Sequence, residues 1–171
     1  ELMSKGTLRG EVFVEKPNFK DVLDLCTGSG AIGVSLAKLG NDLKVTCSDL
    51  SKDALATAKG NALANGLKSI KFEQGDLFAP FRGKLGRKKF DFIISNPPYI
   101  ESEVIPTLQT EVKDHEPMMA LDGGEDGLVF YRCLVNEWSK KLTECGFMAF
   151  ECGEDQAEDI SALFNKIDFD S

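Results

Sequence analysis

A chain of 171 residues with 42% hydrophobic and 28% charged residues is long enough to bury one sizeable core and reads as one globular domain. Its net charge of −8 argues against a surface that grips a nucleic acid backbone and leans toward a protein or small-molecule partner. No apolar run approaches the roughly 18 residues a membrane helix needs, and no signal peptide opens the chain, so a cytoplasmic location and no membrane partner are expected.

In chain order, the first strand is expected over Val22 to Cys26, and a helix from about Ala31 to Leu39 that stops at Gly40. Lys44 to Ser48 reads as the second strand. Ser51 caps a second helix to about Ala64, which Asn65-Gly66 ends. Ile70 to Gln74 and Phe90 to Ser95 are the third and fourth strands. After a long loop, Leu128, Tyr131, Val135, Trp138 and Leu142 recur at three- and four-residue spacing, one face of an amphipathic helix. Gly146 to Glu151 reads as a fifth strand, and Ile160, Leu163 and Phe164 as a last helix. Alternating strands and helices with apolar strands imply an α/β fold: a doubly wound, mostly parallel sheet with helices on both faces. Ligands of such sheets sit at the carboxyl ends of the strands.

The cysteines, Cys26, Cys47, Cys133, Cys145 and Cys152, are odd in number and lack zinc-site spacing, so free, mostly buried thiols and no metal are expected. The lone histidine, His115, reads as structural or exposed. The basic cluster Arg82, Lys84, Arg87, Lys88 and Lys89 reads as a solvated loop.

Thr27-Gly28-Ser29-Gly30 follows the first strand and opens a helix, and with Gly33 it matches G-x-G-x-x-G. A structural strand-to-helix turn would also explain these glycines. Two acids narrow the choice. Asp24, at the end of the first strand, would repel a pyrophosphate and attract the ammonium of a methionine moiety. Asp49, which with Leu50 follows the second strand, can accept ribose hydroxyls, as nucleosides of several kinds require. Asp76 follows the third strand, where its carboxylate can accept from an adenine amino group while Leu77 packs on the ring; a turn or a cap is the plainer reading.

Asn96-Pro97-Pro98-Tyr99 follows the fourth strand directly. Two prolines stiffen the loop and bring no N–H of their own. The Asn96 side-chain oxygen and the Pro97 carbonyl can accept the two hydrogens of one NH₂ group, and Tyr99 can pack on its flat π-system. An amide nitrogen is a poor nucleophile because its lone pair is delocalised. Holding both hydrogens on acceptors directs that pair at an electrophilic methyl, so positioning and electrostatics would supply most of the acceleration. A rigid strand-ending turn is the plain alternative.

Together these stretches resemble class I S-adenosylmethionine-dependent methyltransferases, whose fold is Rossmann-like, and more narrowly the HemK/PrmC family, over about Val22 to Gln156. Asp24 to Gly30 resembles the family's cofactor loop, with Cys26 where a glycine is usual. Ser48-Asp49, Gly75-Asp76-Leu77-Phe78 and Asn96-Pro97-Pro98-Tyr99-Ile100 resemble its ribose, adenine and glutamine-binding steps. Glu116-Pro117, then Ala120 to Leu128 (Ala-Leu-Asp-Gly-Gly-Glu-Asp-Gly-Leu), then Tyr131-Arg132 is similar to the family's own signature, with Asp126 expected as a helix cap. The resemblance implies S-adenosyl-L-methionine as cofactor and, as protein substrate, the Gly-Gly-Gln glutamine of peptide chain release factors. Adenine or exocyclic-amine methylation of DNA or RNA is the second expectation, set back by the acidic charge and the lack of a recognition domain; a non-catalytic binding module is the third. Residues 1–171 then read as a single catalytic domain that starts at Glu1 as a fragment. On this reading the family's helical N-terminal domain and preceding Pro-Arg-Pro motif are not expected within these residues, and its closing antiparallel strand pair is not evident before Ser171.

Overall fold

In a computed structural model the described residues are 7–8, 11–12, 19–40, 42–82, 85–109, 117–137 and 140–165. Lys84, His115, Glu116, Trp138 and Glu1 lie outside them. The chain forms two compact units, one of residues 1–95 with 140–149 and the other of residues 96–139 with 150–171.

The first unit holds the sheet. A short antiparallel pair, β1 (Thr7–Leu8) and β2 (Glu11–Val12), precedes it. Then follow β3 (Asp21–Leu25), α1 (Ala31–Leu39), β4 (Lys44–Asp49), α2 (Lys52–Ala64), β5 (Lys71–Gln74), β6 (Phe90–Ser95) and β7 (Leu142–Phe150). The strand order is β5-β4-β3-β6-β7, and β3 pairs in parallel with both β4 and β6. The chain steps outward from β3 to β5 and then returns to the far side of β3. The reversal between β3 and β6 is the place where such sheets open a crevice at their carboxyl ends.

Successive strand residues face opposite sides of a sheet. Val22, Leu23, Asp24 and Leu25 are all buried, so β3 is covered on both sides. One cluster joins Val22, Val45, Cys47 and Phe92 of the strands to Val34 of α1 and Ala62 of α2. Phe147 of β7 stacks on Phe92 with ring centroids 4.4 Å apart. The Asp91 carboxylate ties three strands: it accepts the Lys20 and Asp21 amides at 3.0 Å and the Thr143 hydroxyl at 3.0 Å. Ser51 caps α2 as expected, accepting the Ala54 amide at 3.2 Å.

The second unit contains α3 (Met118–Leu121), α4 (Val129–Glu137) and α5 (Ala157–Asn165). Its buried residues are mostly aliphatic, among them Ile105, Leu121, Leu134 and Ile160, with Tyr131 the buried aromatic. Tyr131 and Phe150 rings lie 5.4 Å apart, and Phe150 stacks on Phe164 at 5.5 Å.

Three expectations need correction. Leu142 belongs to β7, so the apolar spacing beyond Val135 runs on from helix into strand, and β7 starts four residues before Gly146. The first strand ends at Leu25, because Cys26 adopts φ +55° and turns the chain out of the sheet. The thiols are free but not mostly buried: Cys47 is buried, Cys26 and Cys152 are half-buried, and Cys133 and Cys145 are exposed.

Candidate functional site

At the carboxyl end of β3 the backbone alternates in hand. Cys26, Gly28 and Gly30 all have positive φ, at +55°, +55° and +80°. The left-handed region costs a side-chain-bearing residue about 1 kcal/mol or more. That is the physical reason a glycine is the easier residue at position 26.

The three glycines do different work. A Cβ on Gly28 would meet nothing within 4 Å, so the backbone there faces open space. A Cβ on Gly30 would lie 2.8 Å from the Ala58 Cβ, and one on Gly33 would lie 2.4 Å from the Cys47 Sγ and 2.8 Å from Asp24 Oδ2. Gly30 and Gly33 therefore seat α1 against α2 and the sheet, and Gly28 alone leaves room for a ligand.

Asp24 is fully buried. Its Oδ2 accepts the Thr27 hydroxyl at 2.5 Å and the Gly33 amide at 2.8 Å. Its Oδ1 is buried and has no partner. Burial pushes the Asp24 carboxyl up to about 6 against the pull of the Thr27 and Gly33 donors, with the Asp49 charge adding to the rise. A buried carboxylate oxygen without a donor is costly, and a cationic ligand group would relieve it.

Asp49 ends β4. Its Oδ2 accepts the Gly28 amide and its Oδ1 the Ser51 amide, both at 2.8 Å. Each oxygen keeps a second lone pair. The Thr27 amide also donates to the Ser48 carbonyl at 3.0 Å, so the glycine loop is laced to β4 at two adjacent points. Ser29 is exposed, and its carbonyl accepts from Asn61 at 2.9 Å. Leu50 is 53% exposed. Beyond β5, the Asp76 carbonyl accepts the Ala79 amide, while its exposed carboxylate accepts no hydrogen bond among the described residues. The backbone at Asp76 thus makes the turn of the plainer reading, while its side chain caps nothing among the described residues. Leu77 beside it has φ +43° and is half-buried. Burial pushes the Cys26 thiol up to about 12.

In the second unit, the Asn96 side chain is exposed and Pro97 and Pro98 are buried. The Tyr99 hydroxyl donates to the Glu151 carboxylate at 3.3 Å. The following residues are zipped to the glycine-rich segment. The Ile100 amide donates to the Leu121 carbonyl at 3.0 Å, the Gly123 amide to the Ile100 carbonyl at 2.8 Å and the Ser102 amide to the Gly124 carbonyl at 2.9 Å. Asp126 accepts the Leu128 amide at 3.2 Å just ahead of α4 and pairs with Arg132, whose hydrogen bonds hold its carboxyl down to about 2. The acidic, glycine-rich stretch is therefore a backing for the Tyr99–Ser102 segment. Gln156 and Glu151, whose carbonyl accepts the Tyr131 hydroxyl at 2.6 Å, complete that backing. Nothing in composition or spacing marks these two, because their partners lie across the fold.

The profile described as the methyltransferase small domain matches residues 10–134. A release factor glutamine methyltransferase of Clostridium acetobutylicum is 46% identical over 160 residues, covering 92% of this chain and 55% of that protein. One of Agrobacterium fabrum is 45% identical over 145 residues, covering 84% and 48%. The chain thus spans about half the length of these relatives. Among solved structures, a ribosomal protein L11 methylase of Lactobacillus delbrueckii subsp. bulgaricus superposes with a TM-score of 0.60 at 23% identity, over 87% of this chain and 60% of that one, and shares its fold. No described helix is long and apolar enough to cross a membrane.

Proposed function

The chain belongs to the methyltransferase small domain family, and on that premise we propose that it transfers the methyl group of S-adenosyl-L-methionine to the side-chain amide nitrogen of a glutamine. The names of its relatives point to release factors as the substrate, and the proposal places the reaction on their Gly-Gly-Gln motif, in the cytoplasm. The observation that carries this reading is the Asn96 side chain, exposed at the head of two buried prolines and following β6 without a gap.

The residues present fit the cofactor. The unpartnered, buried Asp24 Oδ1 suits an ammonium, and the open side of Gly28 suits a close-lying ligand. Thr27, Ser29 and Gly30 shape that loop, and Cys26 turns it away from the sheet. The free lone pairs of Asp49 suit ribose hydroxyls, with Leu50 beside them. Asp76 and Leu77 suit the amino edge and the face of an adenine. When bound, the cofactor supplies an electrophilic methyl on a sulfonium.

The acceptor side then has one task. Asn96 and the Pro97 carbonyl each take one hydrogen of the glutamine NH₂, Pro98 keeps that stretch rigid, and Tyr99 packs on the amide plane. With both hydrogens engaged, the nitrogen lone pair would be directed to one side, free to take an electrophilic methyl. The cofactor, when bound, would supply that methyl and leave as a neutral thioether, and the amide nitrogen held by Asn96 and the Pro97 carbonyl would give up one proton to solvent. No acidic or basic side chain needs to carry that proton before the bond forms.

The test is transfer of labelled methyl from S-adenosylmethionine to a release factor, to its Gly-Gly-Ala variant and to duplex DNA. Label on the unaltered release factor alone is expected. Equal label on both release factors, or label on DNA, overturns the glutamine assignment.

A further inference from the structure

Gln156 sits just ahead of α5, three residues after Gly153. Its Oε1 accepts the Gly153 amide at 3.0 Å. Its Nε2 donates to the Tyr99 carbonyl at 2.9 Å and makes a longer contact with the Gly127 carbonyl at 3.5 Å. The Gly153 N–H requires an acceptor, and the two carbonyls require donors. One carboxamide offers both in a fixed plane; a carboxylate has no donor, and an ammonium has no acceptor.

The surroundings are built for this contact. A Cβ on Gly127 would stand 2.4 Å from both Gln156 Nε2 and the Tyr99 oxygen, and Gly127 has φ +68°. A Cβ on Gly123 would stand 2.7 Å from the Tyr99 Cα. Glycine at these two positions lets the Tyr99 backbone lie against the 121–127 segment and lets the Gln156 amide reach its carbonyl. Tyr99 is therefore gripped at its carbonyl by Gln156, at its Cα by the closely packed Gly123, and at its hydroxyl by Glu151.

We propose that Gln156 is a positioning residue for the acceptor loop: its carboxamide fixes the Tyr99 carbonyl and so sets the path of the backbone that carries Asn96 and the Pro97 carbonyl. The inference rests on the function proposed above. Gln156 touches neither substrate nor cofactor in that scheme. Its effect is to hold two acceptors in register with one NH₂ group, and a misplacement of about 1 Å at such a site slows reaction on the order of 100-fold.

The experiment compares the protein with its Gln156→Met and Gln156→Glu variants. Methionine keeps the reach and loses both polar functions; glutamate keeps the shape and the acceptor and loses the donor. Methyl transfer to a release factor, the Kd for S-adenosylmethionine, the melting temperature and hydrogen exchange of the Ile100 and Ser102 amides are measured for each. Both variants are expected to lose kcat on the order of 100-fold, to keep KM and cofactor Kd, to stay folded, and to exchange the Ile100 and Ser102 amides faster. Either variant retaining kcat overturns the inference, as does a loss of kcat that only follows loss of folded protein. Should the unaltered protein transfer nothing to the release factor, the proposed substrate fails, and the exchange data decide the clasp by themselves: unchanged exchange in both variants refutes it.

Discussion

The Asp24 Oδ2 accepts the Gly33 amide at 2.8 Å, across the nine residues that contain the whole glycine loop. One buried carboxylate thus closes the loop from beneath, and the place it needs is one that a side chain on Gly33 would fill.

This arrangement separates the glycines by experiment. Gly33→Ala is expected to destabilise the fold by about 1–3 kcal/mol, since the methyl overpacks a filled site. Gly28→Ala meets no atom but must hold φ +55°, at a cost of about 1 kcal/mol. Its larger effect is expected on S-adenosylmethionine affinity. Denaturant melts and calorimetric binding on both variants check the contrast; a Gly28→Ala protein that binds normally contradicts the assignment of the open side to the cofactor.

Asp24 predicts two opposite pH trends. A carboxyl lifted from 3.8 to about 6 by burial binds its proton more tightly folded than unfolded. Stability from this group is complete below about pH 4 and falls as pH rises through about 6, by on the order of 3 kcal/mol. An ammonium ligand, in contrast, needs the carboxylate, so cofactor affinity is expected to fall roughly tenfold between pH 7 and pH 5. Asp24→Asn is expected to flatten both trends, with a melting temperature at pH 7.5 no lower than that of the unaltered protein and weaker cofactor binding. Melting curves and titrations from pH 4 to 8 provide the check.

Asn96→Ala is expected to reduce methyl transfer by about 10²–10³-fold, the scale of losing one preorganised group at a reacting centre, and to leave the S-adenosylmethionine Kd within about twofold. Equal loss of both would contradict the division between acceptor loop and cofactor loop.

Thiol reactivity follows burial. Iodoacetamide at pH 8 is expected to modify Cys133 and Cys145 first, and Cys26 slowly, because burial pushes its thiol up to about 12. Cys26→Gly is expected to leave the protein at least as stable, since relief of the φ +55° strain offsets the extra freedom of the unfolded chain. Peptide mapping and thermal melts report on each.

Much of the sheet was legible because its central strands β3 and β6 are short, largely apolar and followed by turn residues. α1 and β6 fall on their expected limits, and Ser51 caps α2. Position 142 was misread because a leucine at helical spacing from Val135 is equally a buried strand residue; periodicity alone does not separate the two at an element's edge. The glycine loop was legible as a turn between strand and helix, but not the division of labour among its glycines. That Gly30 and Gly33 serve packing depends on Ala58 and Cys47, which arrive from other elements. Gln156 was out of reach for the same reason, since the carbonyls it donates to lie 29 and 57 residues away.

The lacing of the glycine loop to β4 carries a kinetic consequence. The Thr27 and Gly28 amides are engaged within the chain itself, by Ser48 and Asp49. The conformational entropy of that loop is lost when the chain folds and not when the cofactor binds. Association at this end of the molecule then needs no slow loop closure, so it is expected to proceed as a single fast step at a rate set by diffusion and orientation.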